Sequence, residues 1–149
     1  MFRHVLIPTD GSRLAARGAR AGVRLAKALG AKVTGLYVMF PYVPPIYGEA
    51  SLYYVPGLTP TESRKTYEKQ AKKALGVVQA EAARARVRCK TRYVTSGQPW
   101  QAILREARRA RCDAVVMASH GRGGLGGLLL GSETARVLAN SKIPVLVVR

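Results

Sequence analysis

The sequence predicts an α/β fold: an open, doubly wound, five-stranded parallel sheet with helices on both faces. Two observations carry that expectation. Apolar runs and amphipathic helical stretches alternate along the whole chain, the pattern of successive strand–helix units. The runs are near-continuously apolar instead of alternating, as strands covered on both faces must be. At 149 residues and 48% hydrophobic content, the chain reads as one domain, large enough to build a core without staples.

The first strand spans Val5 to Pro8 and runs into Thr9-Asp10-Gly11-Ser12, a turn whose Ser12 can cap a helix. That helix spans Arg13 to Leu29, with Leu14, Gly18, Ala21, Gly22, Leu25 and Leu29 as its expected apolar face. Small residues there let it approach a sheet closely. Arg13, Arg17, Arg20, Arg24 and Lys27 form a basic stripe on it, either a solvated helix back or a nucleic-acid contact. Gly30 ends the helix, and Lys32 to Met39 is the second strand. From Phe40 to about Pro60 runs a loop holding five of the eight prolines and four of the seven tyrosines. Loops of this length are lids, partner surfaces or mobile crossovers.

Thr61 to Ala85 forms a second helix, with Tyr67, Ala71, Ala74, Leu75, Val78 and Ala82 expected inward. Val87 to Thr95 is the third strand, and Pro99 opens the third helix, where a first turn tolerates proline. Trp100, Ile103, Leu104 and Ala107 face the core from that helix; Arg105, Arg108 and Arg109 face away. Asp113 to Ala118, Glu133 to Asn140 and Ile143 to Val148 complete the chain as strand, short helix and strand.

Lys and Arg outnumber Asp and Glu by 25 to 8, a net charge of +17. Such a surface attracts polyanions or simply keeps the protein soluble. No apolar run reaches the ~18 residues of a membrane span, and the opening residues carry no signal-peptide pattern, so a cytoplasmic location is expected.

Chemistry concentrates in Ala114–Arg149, where a buried strand, a glycine-laden loop and a helix opening at Gly131-Ser132 follow one another. Such a unit aims backbone N–H groups into a crevice at the carboxyl end of a sheet, which is how phosphate is held. Nucleotides are its usual carriers. A P-loop is excluded, because no lysine follows a suitable glycine. Gly121, Gly123 and Gly126 match G-x-G-x-x-G only formally: they follow the fourth strand, and no acidic residue stands about twenty positions on. The remaining spacing is Ala118-x-x-Gly121-x9-Gly131-Ser132.

That spacing, with VLIPTDGS at 5–12, VMASHGRGGLGGLLLGS at 116–132 and KIPVLVV at 142–148, resembles the universal stress protein family along the entire chain. The family's ATP-binding subgroup carries G-x-x-G-x9-G-[ST]. Gly121, Gly131 and Ser132 stand at three of those positions, and Ala118 replaces the first glycine. The resemblance implies the strand order 3-2-1-4-5, with a topological switch point between strands one and four. In that order Cys89 and Cys112 sit three strands apart, about 14 Å at ~4.8 Å per strand. That exceeds the roughly 7 Å limit for a disulfide, so two structural free thiols are expected.

The resemblance further implies ATP as ligand, with any Mg²⁺ held by the nucleotide's own phosphates, at most slow hydrolysis, and a homodimer through strand 143–148, an apolar edge that invites self-pairing. Pro8, Thr9 and Asp10 would meet the ribose or adenine end, and Val38 and Met117 would line the adenine slot. Around the phosphates stand Ala118, Gly121, Arg122, Gly131, Ser132, Glu133 and Thr134. Here the N–H groups of Gly131, Ser132 and Glu133 open a helix whose dipole favours an anion. Ser132 can also cap that helix, Arg122 can be a plain surface arginine, and the Glu133 carboxylate suits phosphate only if it swings outward. His120 is either a catalytic base or a hydrogen-bonded loop histidine; nothing in the sequence orients it. Two other functions stay open: an interaction module without ligand, or a basic-surface nucleic-acid binder limited to non-specific contacts.

Overall fold

The computed structural model describes residues 1–41, 60–121 and 130–149. Most of the Phe40–Pro60 loop, together with Arg122, Gly123 and Gly126, lies outside the described residues, as do the side chains of Pro60, Thr61 and Ser63. The elements are β1 (His4–Pro8), α1 (Arg13–Leu29), β2 (Lys32–Met39), α2 (Pro60–Ala85), β3 (Cys89–Thr95), α3 (Pro99–Arg109), β4 (Ala114–Ala118), α4 (Ser132–Asn140) and β5 (Val145–Val148). The five strands form one sheet in the order β3-β2-β1-β4-β5, every pairing parallel. Fold class and strand order are those expected. The differences are at ends: β3 begins two residues late and β5 is trimmed to four residues.

The two-residue alternation of each strand builds two separate cores. On one face Val5, Ile7, Val33 and Val116 pack under Ala19, Val23 and Ala26 of α1 and under Val78 and Ala82 of α2. On the other, Leu6, Leu36, Val115 and Met117 meet Ile103, Leu104 and Ala107 of α3 and Val137 of α4. Leu6, Ile7 and Val115 are wholly buried, and each such side chain stabilises the fold by roughly 1.5–3 kcal/mol. Trp100 packs against the second core from its margin.

The inward face of α1 is rotated from the expected one. Ala15, Gly18, Ala19, Gly22, Val23 and Ala26 are buried, while Leu14, Ala21, Leu25 and Leu29 sit at the flanks. Close approach explains it: a methyl group on Gly22 would lie 2.7 Å from Ile7 Cδ1 and 3.2 Å from Val116 Cβ. A leucine ridge could not enter that space, so the leucines move aside. On α2 the expected inward set is buried except Tyr67, which is 37% exposed near the helix start. Ser12 caps α1 as expected, its Oγ accepting the Ala15 N–H at 3.1 Å.

Glu106 of α3 is an acidic side chain inside the protein. Its carboxylate is 6% exposed and receives Arg92 of β3 at 2.9 Å, which satisfies a charge that would otherwise be costly to bury. Cys89 and Cys112 are both free thiols, Cys112 buried. No helix among the described residues is long and apolar enough to cross a membrane.

Candidate functional site

The carboxyl ends of β1 and β4 lie side by side, because those strands pair directly, Val5 with Ala114 and Leu6 with Val115. Chain leaving β1 turns toward β2 through α1, and chain leaving β4 turns toward β5 through α4. A crevice between such ends is where open α/β sheets take ligands.

Pro8 closes β1, opposite Leu36. Thr9 is buried; its N–H donates to the Leu36 carbonyl at 2.8 Å and its Oγ1 accepts the Gly11 N–H at 3.1 Å. Asp10 Oδ1 accepts the Ser12 N–H at 2.9 Å, a local turn that swings the chain into α1. Gly11 has φ = 80°, in the left-handed region, so the turn needs glycine there. The other Asp10 oxygen, Oδ2, faces the loop after β4: a methyl group on Gly121 would lie only 2.7 Å from it. Two segments separated by more than a hundred residues therefore touch at this point.

On the β4 side, α4 hangs from the strand end by two hydrogen bonds. The Gly131 N–H donates to the Ser119 carbonyl at 2.8 Å, and Thr134 Oγ1 donates to the Ala118 carbonyl at 3.0 Å. Ser119 N–H in turn donates to the Val148 carbonyl at 2.8 Å, tying the same residue to β5. Gly131 is packed against this corner, where a Cβ would lie 3.0 Å from His120 Cα and 3.2 Å from the Ser119 oxygen. This accounts for glycine at position 131 through packing inside the loop.

Two details correct the expected roles. Gly131, not Ser132, is the N-cap of α4, and among the described residues no side chain caps that helix; Ser132 is its first residue and is exposed. The Gly131 N–H is already occupied by Ser119, which leaves Ser132 and Glu133 as the available pair from the three expected donors. The Glu133 carboxylate points elsewhere. Its Oε2 accepts the Trp100 N–H at 2.7 Å and its Oε1 receives Arg136 at 3.2 Å. Glu133 thus caps α3 from across the interface, which Gln98, the N-cap of α3, does not do with its own side chain. Sequence reading missed this bond, although the lack of a good capping residue at Gln98 was a visible signal that an acceptor comes from elsewhere.

Ala118 is 7% exposed and shares the face of Val116, turned to the α1 layer. Gly18 of α1 covers it, for a Cβ there would lie 3.3 Å from the Ala118 nitrogen. By the two-residue alternation of β4 the Ala118 methyl group falls on the Val116 side of the sheet, the side that α1 covers. Met117 faces the opposite layer, 6% exposed, and Val38 packs against the same cluster. Ser119 Oγ and His120 Nδ1 are 3.2 Å apart, so the histidine is a hydrogen-bonded loop residue. Arg122 lies outside the described residues.

The titrations that burial shifts lie at the other end of the sheet. Burial, reinforced by Lys32, lowers the pKa of His4, whose Nε2 meets Thr34 Oγ1 at 2.8 Å. Burial pushes the Cys112 thiol up to about 11. Burial acts to raise the Asp113 pKa, but the backbone N–H groups of Arg3 and His4 outweigh it and the net shift is downward. Among the described residues, the carboxyl end of the sheet brings together the N–H groups at the start of α4 and the Asp10 carboxylate.

Comparison with known proteins agrees with this architecture. The profile of the universal stress protein family matches residues 1–149. Universal stress protein YxiE of Bacillus subtilis strain 168 is 33% identical over 149 residues, covering 100% of both chains. The structure of universal stress protein UspA from Lactobacillus plantarum superposes with a TM-score of 0.78 at 25% identity, over 99% of this chain and 97% of that one. A universal stress protein in complex with cAMP gives 0.70 at 25% identity over the same shares, 99% and 97%. With a whole-length profile match, a whole-length relative and the shared sheet, this chain belongs to the universal stress protein family.

Proposed function

We propose that this chain is a nucleotide-binding module that holds ATP at the carboxyl ends of β1 and β4 as a signal or stabilising ligand. The observation that carries the reading is the contact of Asp10 with Gly121 beside the start of α4. It gathers a carboxylate fit for ribose hydroxyls and helix-terminal N–H groups of Ser132 and Glu133, without an acceptor among the described residues, fit for phosphate. In this reading Pro8, Thr9 and Asp10 take the ribose or adenine end, and Val38 and Met117 back the adenine. Gly121, Arg122, Gly131, Ser132, Glu133 and Thr134 surround the phosphates, with main-chain N–H groups of Ser132 and Glu133 as donors. Ala118 is compatible because its methyl group falls on the side of the sheet that α1 covers. The cAMP complex of a family member 25% identical supports a nucleotide as the ligand class.

Hydrolysis is at most slow in this account. His120 Nδ1 is engaged by Ser119, and among the described residues no carboxylate orients the ring toward an attacking water. Any Mg²⁺ would be held by the phosphates themselves. The protein works in the cytoplasm as a homodimer joined through β5, an edge strand whose Leu146 is 47% exposed. Sedimentation of a monomer at micromolar concentration would remove the dimer from this account.

The rival is a ligand-free interaction module of the same fold, which the Gly131 N–H bonded to Ser119 and the replaced motif glycine favour. Heating protein purified after incubation with ATP, then chromatographing the supernatant, separates the two. We expect adenine nucleotide near one per chain; none at all supports the rival.

A further inference from the structure

We propose that the outer face of the α1–α2 layer binds the phosphate backbone of double-stranded nucleic acid without reading its sequence. Beyond Arg13, whose end of α1 adjoins the crevice turn, this surface runs away from the nucleotide crevice. Arg13, Arg17, Arg20, Arg24 and Lys27 are all exposed and recur at spacing 4, 3, 4, 3, one line along the side of α1 opposite its buried alanines. At ~1.5 Å rise per residue the line is about 21 Å long. No acidic residue occurs in α1 to neutralise it.

A second line lies beside it. On α2 the exposed Lys65, Lys69, Lys72 and Lys73 stand opposite buried Ala71, Ala74, Leu75 and Val78. Both helices cover the same face of the sheet, so both lines point outward, and neighbouring helices lie about 8–10 Å apart. α2 carries three acids, Glu62, Glu68 and Glu81, against six basic residues, and Glu68 and Glu81 pair with Arg64 at 3.0 Å and Arg84 at 3.4 Å. The opposite layer is different. There Glu106 sits between Arg92 and Arg109, and Glu133 holds Arg136. α1 and α2 together carry eleven basic against three acidic residues, α3 and α4 four against two, so the helical charge is weighted to the α1–α2 layer.

The chemistry of the face selects its occupant. A patch two helices wide matches phosphates spread over a duplex surface. Single strands require aromatic platforms for stacking; α1 has no aromatic residue, and the only one in α2 is Tyr67, off the outward lines. A helix that inserts into a membrane surface buries an apolar face, and the apolar face of α1 is already against the sheet, which leaves lipid only the headgroup charge. What remains is charge on charge, which is non-specific and strongly salt-dependent.

The test is duplex binding by fluorescence anisotropy across about 0.05–0.3 M salt, with no nucleotide present. Arg17→Gln/Arg20→Gln/Arg24→Gln should make the slope of log K against log salt shallower by about 2.7, at ~0.9 per phosphate contact. Extrapolated to equal affinity at 1 M, that is a loss of roughly 500-fold at 0.1 M. Arg13 is left intact because it adjoins the crevice turn. Arg105→Gln/Arg108→Gln/Lys142→Gln removes the same charge from the opposite layer and should lose less than about tenfold. Arg17→Lys/Arg20→Lys/Arg24→Lys should retain the wild-type slope, which guards against an unfolded variant. Equal losses in both glutamine triples would assign the attraction to net charge and overturn the proposal. So would tighter binding to single strands or to vesicles rich in phosphatidylserine, or no binding to duplex at low salt.

Discussion

Replacing Glu133 by alanine tests how the site is held together. The carboxylate accepts the Trp100 N–H at 2.7 Å and receives Arg136 at 3.2 Å, and its side chain is 36% exposed. A hydrogen bond to a charged group contributes about 1.5–3 kcal/mol when well enclosed. Water reaches this one, which places it at the low end, and the rim pair with Arg136 adds little. Glu133 also supplies the acidic charge at the start of α3, whose first turn has none of its own. The expected cost of Glu133→Ala is about 1.5–2 kcal/mol, which in a chain of this size is a fall in Tm of roughly 3–8 °C. Glu133→Gln keeps an acceptor without the charge and should lose about half as much. Urea denaturation followed by far-UV circular dichroism reads both. An alanine variant within about 0.5 kcal/mol of wild type would refute the cap. The glutamine variant carries a second readout. A carboxylate tied to α3 does not face the phosphates, so ATP affinity should stay within about threefold; tenfold tightening, ~1.4 kcal/mol, would place the carboxylate in the crevice after all.

Two further outcomes follow from the same geometry. Gly131→Ala puts a methyl group 3.0 Å from His120 Cα, so loop backbone must give way, and should cost about 1–3 kcal/mol in urea melts; a neutral change would mean that the corner relaxes freely. His4 supplies a pH dependence whose sign is fixed by its lowered pKa. The folded protein favours the neutral ring, while the unfolded chain takes up a proton below the ordinary value of 6.5. Stability is therefore full above that pH and declines as pH falls from it to the folded pKa, by at most about 1.4 kcal/mol per pH unit. Urea midpoints at pH 7.5 and 5.5 should differ more in wild type than in His4→Gln, and an equal difference in both would remove His4 from the account.

The fold was legible wherever a local signal sufficed. Ser12 and Gly30 bracket α1 at the residues expected because capping chemistry is written in the adjacent sequence. Its buried face was not, since hydrophobicity alone points to leucines. The nearness of Ile7 and Val116 admits only glycine and alanine there, and that nearness belongs to the packed sheet. At the site, the meeting of Asp10 with the Gly121 loop followed from the strand order implied by family resemblance. Which N–H groups remain available did not, because the Ser119 carbonyl decides it by its direction. Ser132 looked like the cap of α4 for the same reason: a one-residue shift moves the role to Gly131, and nothing in composition marks it. Glu133 is the instructive case. A first-turn acid reads as serving its own helix, yet its side chain serves α3.

The most direct measurement is calorimetric ATP titration at ~0.15 M salt, a level at which loose attraction to basic surfaces is screened within about 8 Å. The comparison is wild type against Ser132→Asp, which adds a carboxylate at an exposed first-turn position that helices tolerate well. We predict one saturable site per chain, unaltered folding stability, and at least about tenfold weaker ATP binding in the variant, the ~1.4 kcal/mol of one repulsive charge beside the phosphates. Equal affinity in the two proteins, or no saturable site in wild type, would contradict a crevice that grips phosphate at the start of α4.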